Sequence, residues 1–391
     1  MRLLSLPLPT VLSGLVAVLV GYASSAAIIW QATLAAGATP TEIAGWMTAL
    51  GIAMGISTLT LTLWYRAPVL TAWSTPGAAL LVTGLQGLSL PDAVGIFIVA
   101  NALIVLCGVT GLFARLMQII PHSLAAAMLA GILLRFGLQA FGTLNGEFVM
   151  CGGMLLAWLL FKVFAPRYAV IAAMVMGITV ALIQGKVAMS GIHFAPVWPT
   201  FVPPHFSFAQ SLSVAVPLFL VTMASQNAPG VATMKASGYQ LPVSPLMIFT
   251  GLLALLLSPF GVYSICIAAI TAAICQSPDA HPDPTRRWLA AAAGVFYLLA
   301  GWFGGSITAL MVALPVSWVQ MLAGLALLST ISGSLYQALT HESERDAAVI
   351  AFLVTASGLT LMGIGSAFWG LIAGGIGYAV LTRTRRPSLS G

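Results

Sequence analysis

Within one long apolar stretch the chain reads Ala72-Trp73-Ser74-Thr75-Pro76-Gly77, a set of residues suited to starting a helix where a membrane helix should be running straight through. Ser and Thr are good N-cap residues, and proline fits the first helical turn because its missing N–H would be unsatisfied there anyway. A helix that starts inside the bilayer turns free backbone N–H groups and the positive end of its dipole toward the centre, and the chemistry this offers is anion binding. The plainer alternative is a proline kink with Ser74 and Thr75 bonded to their own backbone; on this one stretch the two readings weigh equally.

A second break supports the first. Ser258-Pro259 matches Ala67-Pro68 at an offset of 191 residues, and a polar pair follows again as Tyr263-Ser264. Two half-helices pointing at each other would hold an anion without a lysine or arginine, since each dipole end contributes about 0.3 to 1 kcal/mol when exposed and up to ~2 kcal/mol when partly buried. Backbone N–H groups or hydroxyls of Thr75, Gly77 and Ser264 are expected to face a carboxylate, and Trp73 and Tyr263 to shape a pocket for a ring, although a membrane tryptophan is more often an interfacial anchor. Tyr22, Ser24 and Ser25 lie at mid-depth in the first apolar stretch, and Ser225-Gln226-Asn227 at similar depth in its counterpart. Singly, such residues are more often interhelical glue at about 0.6 kcal/mol each. The cluster followed by Ala228-Pro229-Gly230 is denser than glue requires, and Pro229 would open the backbone beside it.

The missing groups are equally informative. All eight acidic residues, Glu42, Asp92, Glu147, Asp279, Asp283, Glu342, Glu344 and Asp346, fall outside the apolar cores, so nothing there repels an anion. Cys107, Cys151, Cys266 and Cys275 form no CxxC pair, and the five histidines lie at loops and span ends; no metal or other cofactor is expected. Ser74 and Ser264 have no buried base beside them, which argues against an enzyme. Arg135 sits within an apolar stretch, where snorkelling toward the headgroups is favoured over a role in attracting substrate. His122 is a weak proton-relay candidate.

These residues must be carried by membrane helices. Hydrophobic residues make up 60% of the 391 and charged ones only 6%, against roughly 25% charged in soluble domains. Cutting at Pro, Gly and charged punctuation predicts an all-α polytopic protein of fourteen segments, near 11–35, 41–63, 68–88, 92–117, 121–141, 147–164 and 168–187, then 209–233, 243–258, 260–276, 288–312, 315–338, 346–362 and 365–381. The first is expected as an uncleaved span, because its apolar run continues past the small residues Ala23 to Ala27.

The halves repeat. Leu116-Met117-x3-Pro121-x-Ser123 returns 194 residues later as Leu310-Met311-x3-Pro315-x-Ser317, and the MLAG at 128–131 returns at 321–324. Residues 1–190 form the first repeat, 191–208 a surface linker and 209–391 the second. Seven spans per half force the second half to enter from the opposite face, giving an inverted repeat. With a cytoplasmic N-terminus, every one of the 14 basic residues except Arg135 and Lys186 falls on the cytoplasmic side, so the +6 net charge reports topology and no nucleic-acid partner is expected.

The segments Trp73-Ser74-Thr75-Pro76-Gly77 and Ser225-Gln226-Asn227-Ala228-Pro229-Gly230 resemble those of the bacterial benzoate membrane-transport family, the benzoate:proton symporters, and the similarity runs over nearly the whole chain. More widely the chain looks like the uracil-permease, sulfate-permease and anion-exchanger architecture. That resemblance implies a core domain from spans 1–4 and 8–11, a gate domain from spans 5–7 and 12–14, and half-helices in spans 3 and 10. Nucleobase carriers of this architecture typically have an acidic residue in span 8, where this chain has Gln226 and Asn227, so an anionic substrate fits better. The expectation is an inner-membrane secondary carrier with cytoplasmic termini, moving benzoate or a similar aromatic carboxylate inward with a proton, in a lipid bilayer, with a homodimer left open. An inorganic-anion exchanger or channel of the same fold is the alternative.

Overall fold

The computed structural model describes residues 7–113, 115, 121–188, 196–278, 280–291, 294–361 and 366–384. The first half contains α1 (Leu8–Ala35), α2 (Pro40–Tyr65), strand β1 (Thr71–Ala72), α3 (Thr75–Gly84), α4 (Leu90–Thr110), α5 (His122–Gly142), α6 (Phe148–Phe164) and α7 (Ala169–Ile183). The second contains α8 (Phe208–Lys235), α9 (Val243–Leu257), strand β2 (Cys266–Ile267), α10 (Ile270–Gln276), α11 (Gly294–Trp302), α12 (Gly304–Ala313), α13 (Val316–Thr340), α14 (Arg345–Ala356) and α15 (Ser366–Thr384). Among the described residues seven helices are long and apolar enough to cross a membrane, or eight if a bent pair counts as one. The protein is an all-α polytopic membrane protein whose element order is consistent with a seven-plus-seven repeat.

Helix starts follow local chemistry. Thr39 and Glu42 form a reciprocal capping box at α2, and Ser89 and Asp92 another at α4, which accounts for two acidic residues as caps. The paired prolines Pro121 and Pro315 stand directly before α5 and α13.

Several boundaries differ from expectation. Span 3 is half strand and half helix, because β1 precedes the ten-residue α3. In span 10 the helical part is only α10, seven residues long. Span 11, expected as one segment over 288–312, is bent by 55° between Trp302 and Gly304. Beside Pro229 the backbone of α8 widens into a π-helical turn over Met223–Asn227, and the helix continues to Lys235. The end of expected span 4, the linker residues 189–195 and the start of span 14 before Ser366 lie outside the described residues. The described part of the linker crosses the surface, held by Val202 N–H to Pro259 O at 2.8 Å and His205 N–H to Pro91 O at 2.9 Å.

Packing relies on glycine where helices cross. A Cβ on Gly51 would lie 2.4 Å from Gly301 Cα, and one on Gly55 2.9 Å from Gly294 O, so α2 and α11 meet backbone to backbone. Elsewhere α5 lies against α13 and α14, α6 against α7, and α4 against α9. Gly301→Val places new carbon 2.8 Å from Ile52 N and is expected to cost about 1 to 3 kcal/mol. Gly375→Ala, which meets nothing within 4 Å, should leave stability equal or higher. Thermal unfolding of the two variants in detergent checks the contrast.

Candidate functional site

The two interruptions come together. β1 and β2 pair antiparallel, Thr71 opposite Ile267 and Ala72 opposite Cys266, so backbone left unpaired by each broken helix is satisfied by the other. The strands run in opposite directions and each is followed three residues later by a helix start, Thr75 of α3 and Ile270 of α10.

Hydroxyls pin this short ladder. From α2, Ser57 Oγ and Thr58 Oγ1 lie 2.5 and 2.9 Å from Thr71 Oγ1, and Thr62 Oγ1 donates to Val69 O at 3.0 Å. From α8, Asn227 Oδ1 accepts from Ile267 N–H at 2.9 Å. Gly230 lets the same helix approach, since a Cβ there would lie 2.3 Å from Ile267 O. Asn101 of α4 donates to Ser258 Oγ at 3.1 Å and Tyr263 O at 3.2 Å, fixing the approach to β2.

Ser74 caps α3, its Oγ accepting from Gly77 N–H at 3.1 Å. Its own N–H donates to Ser264 Oγ at 3.0 Å, and its carbonyl accepts from Tyr263 OH at 3.0 Å. These contacts reassign three expected site residues. Gly77 N–H is taken by the cap, while Tyr263 and Ser264, each 1% exposed, serve as struts for Ser74. Nor are Tyr263 and Ser264 the counterparts of Trp73 and Ser74. The turn at Ser258–Phe260 and left-handed Gly261 delay the second break, so Ala268 and Ala269 hold those places before α10.

A cavity of about 460 Å³ opens against the two helix starts, within the range typical of small-ligand sites. Ser25, Trp73, Thr75 and Gln226 line it, together with Ser225, Pro229, Ala268, Ala269 and Thr271. Ser25 Oγ and Thr75 Oγ1 are 2.7 Å apart, joining α1 to the tip of α3. Trp73, largely buried, borders the cavity, with Tyr22 packed edge-on against its ring at 4.7 Å between centroids. Tyr22 itself is outside the lining, its hydroxyl directed at Gly51 and without a hydrogen-bond partner among the described residues. Ser74, Gly77, Asn227, Tyr263 and Ser264 also stand behind the wall. The Ser24 side chain lies outside the described residues.

The opposite wall comes from α6, α7 and α13 and was not foreseen. Trp158 and Lys162 line it, with Lys162 Nζ 2.9 Å from Ser329 Oγ and 5.6 Å from the Trp158 ring centroid. A Trp and a Lys four residues apart at the end of an apolar helix were the available signal. No acidic residue lines the cavity among the described residues. It therefore combines an apolar, aromatic body with hydroxyls, the α3 tip and one cation, which can accept a small organic anion. No group of His, Cys, Asp and Glu suited to a metal occurs among the described residues.

An all-α membrane protein with two interrupted helices meeting at a central cavity is the architecture of a secondary transporter, and solved structures share the fold. The transmembrane domain of a cyanobacterium bicarbonate transporter, BicA, matches with a TM-score of 0.61 at 15% identity, over 93% of this chain and 96% of that one. SLC26A9 matches with a TM-score of 0.62 at 15% identity, over 97% of this chain and 66% of that one. The family model for the benzoate membrane transport protein matches residues 5–380, and the chain belongs to that family. Curated relatives include the inner membrane protein YdcO of Escherichia coli K12, 76% identical over 97% of this chain and 98% of the relative. The benzoate membrane transport protein of Acinetobacter baylyi is 37% identical over 97% of this chain and 96% of the relative.

Asn227→Ala leaves the Ile267 N–H unpaired in a buried strand and is expected to destabilise the protein by about 1 to 3 kcal/mol. Gln226→Ala, on the cavity face, should change stability little. A lowered unfolding temperature for the first and an unchanged one for the second is the result to look for.

Proposed function

We propose that the protein carries benzoate or a similar aromatic carboxylate across the bacterial inner membrane by alternating access, with a proton. The observation that carries this is the composition of the central cavity: Trp73 and Trp158 for a ring, Thr75 and Ser25 at a helix start for a carboxylate, Lys162 opposite, and no acidic residue among the described lining. The names of the Escherichia coli and Acinetobacter baylyi relatives supply the membrane and the substrate class.

Fourteen segments arranged as an inverted repeat belong to this proposal, as does the movement of a core built on α1–α4 and α8–α12 against a gate built on α5–α7 and α13–α15. The cavity lies between these two groups. With N- and C-termini in the cytoplasm, Lys162, Pro166 and Pro229 lie toward the cytoplasm, and the cavity they line is the inward-facing one. The proton travels on the substrate carboxyl or through His122, which lines a smaller cleft sharing Ser225, Pro229 and Thr330 with the main cavity. A homodimer, the assembly of related architectures, is part of the same proposal.

Labelled benzoate should accumulate in vesicles holding the protein when the outer side is acidified, and the accumulation should vanish when the gradient is collapsed. Uptake equal to that of empty vesicles rejects the substrate, and competition by bicarbonate or sulfate with none by excess unlabelled benzoate transfers the assignment to inorganic anions. Thr75→Val, which removes the hydroxyl at the helix tip, should lower kcat/KM for benzoate by about tenfold, while Thr75→Ser keeps most of it.

A further inference from the structure

A second cavity, of about 440 Å³, lies at the other end of α3. The first cavity meets the start of this helix at Thr75 and Pro76, and the second meets its end at Leu80, Thr83 and Gly84. α8 also runs between them, contributing Gln226 and Pro229 to the first and Gln210, Ser213 and Val214 to the second. A helix of ten residues spans roughly 15 Å, so the cavities are reached from opposite ends of the same two helices.

The repeat relates them as well. Leu325 to Leu327, directly after the second MLAG, and then Ser329 and Thr330 line the first cavity, while the last residue of the first MLAG, Gly131, with Ile132 and Arg135, lines the second. Each cavity contains one basic residue among its described lining, Lys162 from α6 or Arg135 from α5, and neither contains an acidic one.

Arg135 is exposed within this space and has no ion-pair partner among the described residues. The carboxylate nearest in sequence to this region, Asp92, stands behind the wall, held by Ser89, His205 and the side chain of Gln210.

The dipole of α3 gives a cation a role here. Its N-terminal end favours an anion in the first cavity, but its C-terminal end carries about half a negative charge and would disfavour one in the second. Arg135, in the same lining as Gly84, opposes that half charge with a full positive one.

We infer that the second cavity is an anion vestibule on the opposite side of the same pathway, with Arg135 as the residue that gathers a small organic carboxylate there. The inference rests on the carrier reading for its substrate, whereas the anion preference of the vestibule is independent of it.

Sided transport tests the first part. Arg135→Gln should raise the KM for benzoate entering from the Arg135 side by about tenfold, with little change in KM from the Lys162 side, and Arg135→Lys should restore most of the affinity. An unchanged KM, or an equal rise from both sides, overturns the inference. The second part needs no transport. The four native cysteines are buried, so Thr83→Cys adds a single accessible thiol to the vestibule wall. A negatively charged thiosulfonate should label it several-fold faster than a positively charged one, and Arg135→Gln should abolish the preference. No labelling, or a preference indifferent to Arg135, overturns the vestibule even in a protein that moves benzoate; intact labelling preference without benzoate uptake would overturn the substrate and leave the vestibule standing.

Discussion

Breaking a helix inside a bilayer leaves backbone N–H and C=O groups that no water can satisfy, and this protein answers by breaking two helices at one place. β1 and β2 satisfy each other there, with four hydroxyl or amide side chains from α2 and α8 completing the bonds. The half-helices can begin at the centre because this junction holds. Its rigidity has a functional consequence, since it fixes the α3 tip, Thr75 and the Trp73 ring in one arrangement against the cavity.

The electrostatics follow from the same geometry. An oriented helix end is a weak, fixed charge that needs no buried ion, which suits a site that must also release its guest. The opposite end of α3 carries the opposite sign, so a pathway along the helix is asymmetric unless a side chain corrects it. Arg135 stands at that end, while Lys162 stands across from the helix tip. Lys162 projects from α6 and Arg135 from α5, and the remaining lining of each cavity is apolar, hydroxylic or amide.

Much of this was legible in the chain. The apolar segments, the repeat and the N-cap signal at Ser74-Thr75-Pro76 are local or periodic properties, and local backbone chemistry made Ser74 the cap it was expected to be. The second break was harder to place because its half-helix starts after Ala268-Ala269, which carry no capping signal. Alignment on Ser258-Pro259 therefore put Tyr263 and Ser264 too close to the helix start. The SQNAPG segment reads as one polar cluster, yet of its residues Ser225, Gln226 and Pro229 meet the cavity. Asn227 and Gly230 face Ile267 instead, because residues three or four apart share a helix face: Ser225 and Pro229 fall on the cavity side, Asn227 and Gly230 on the strand side.

Composition and the internal repeat alone determined that this chain is a polytopic helical membrane protein with duplicated halves, because burial in lipid constrains every residue of a span in the same way. Tertiary structure alone decided which polar groups are struts and which line the cavity. Ser74 contacts Tyr263 and Ser264 nearly two hundred residues away, and no local signal specifies whether a hydroxyl at mid-membrane will be spent on a neighbouring backbone or left facing open space.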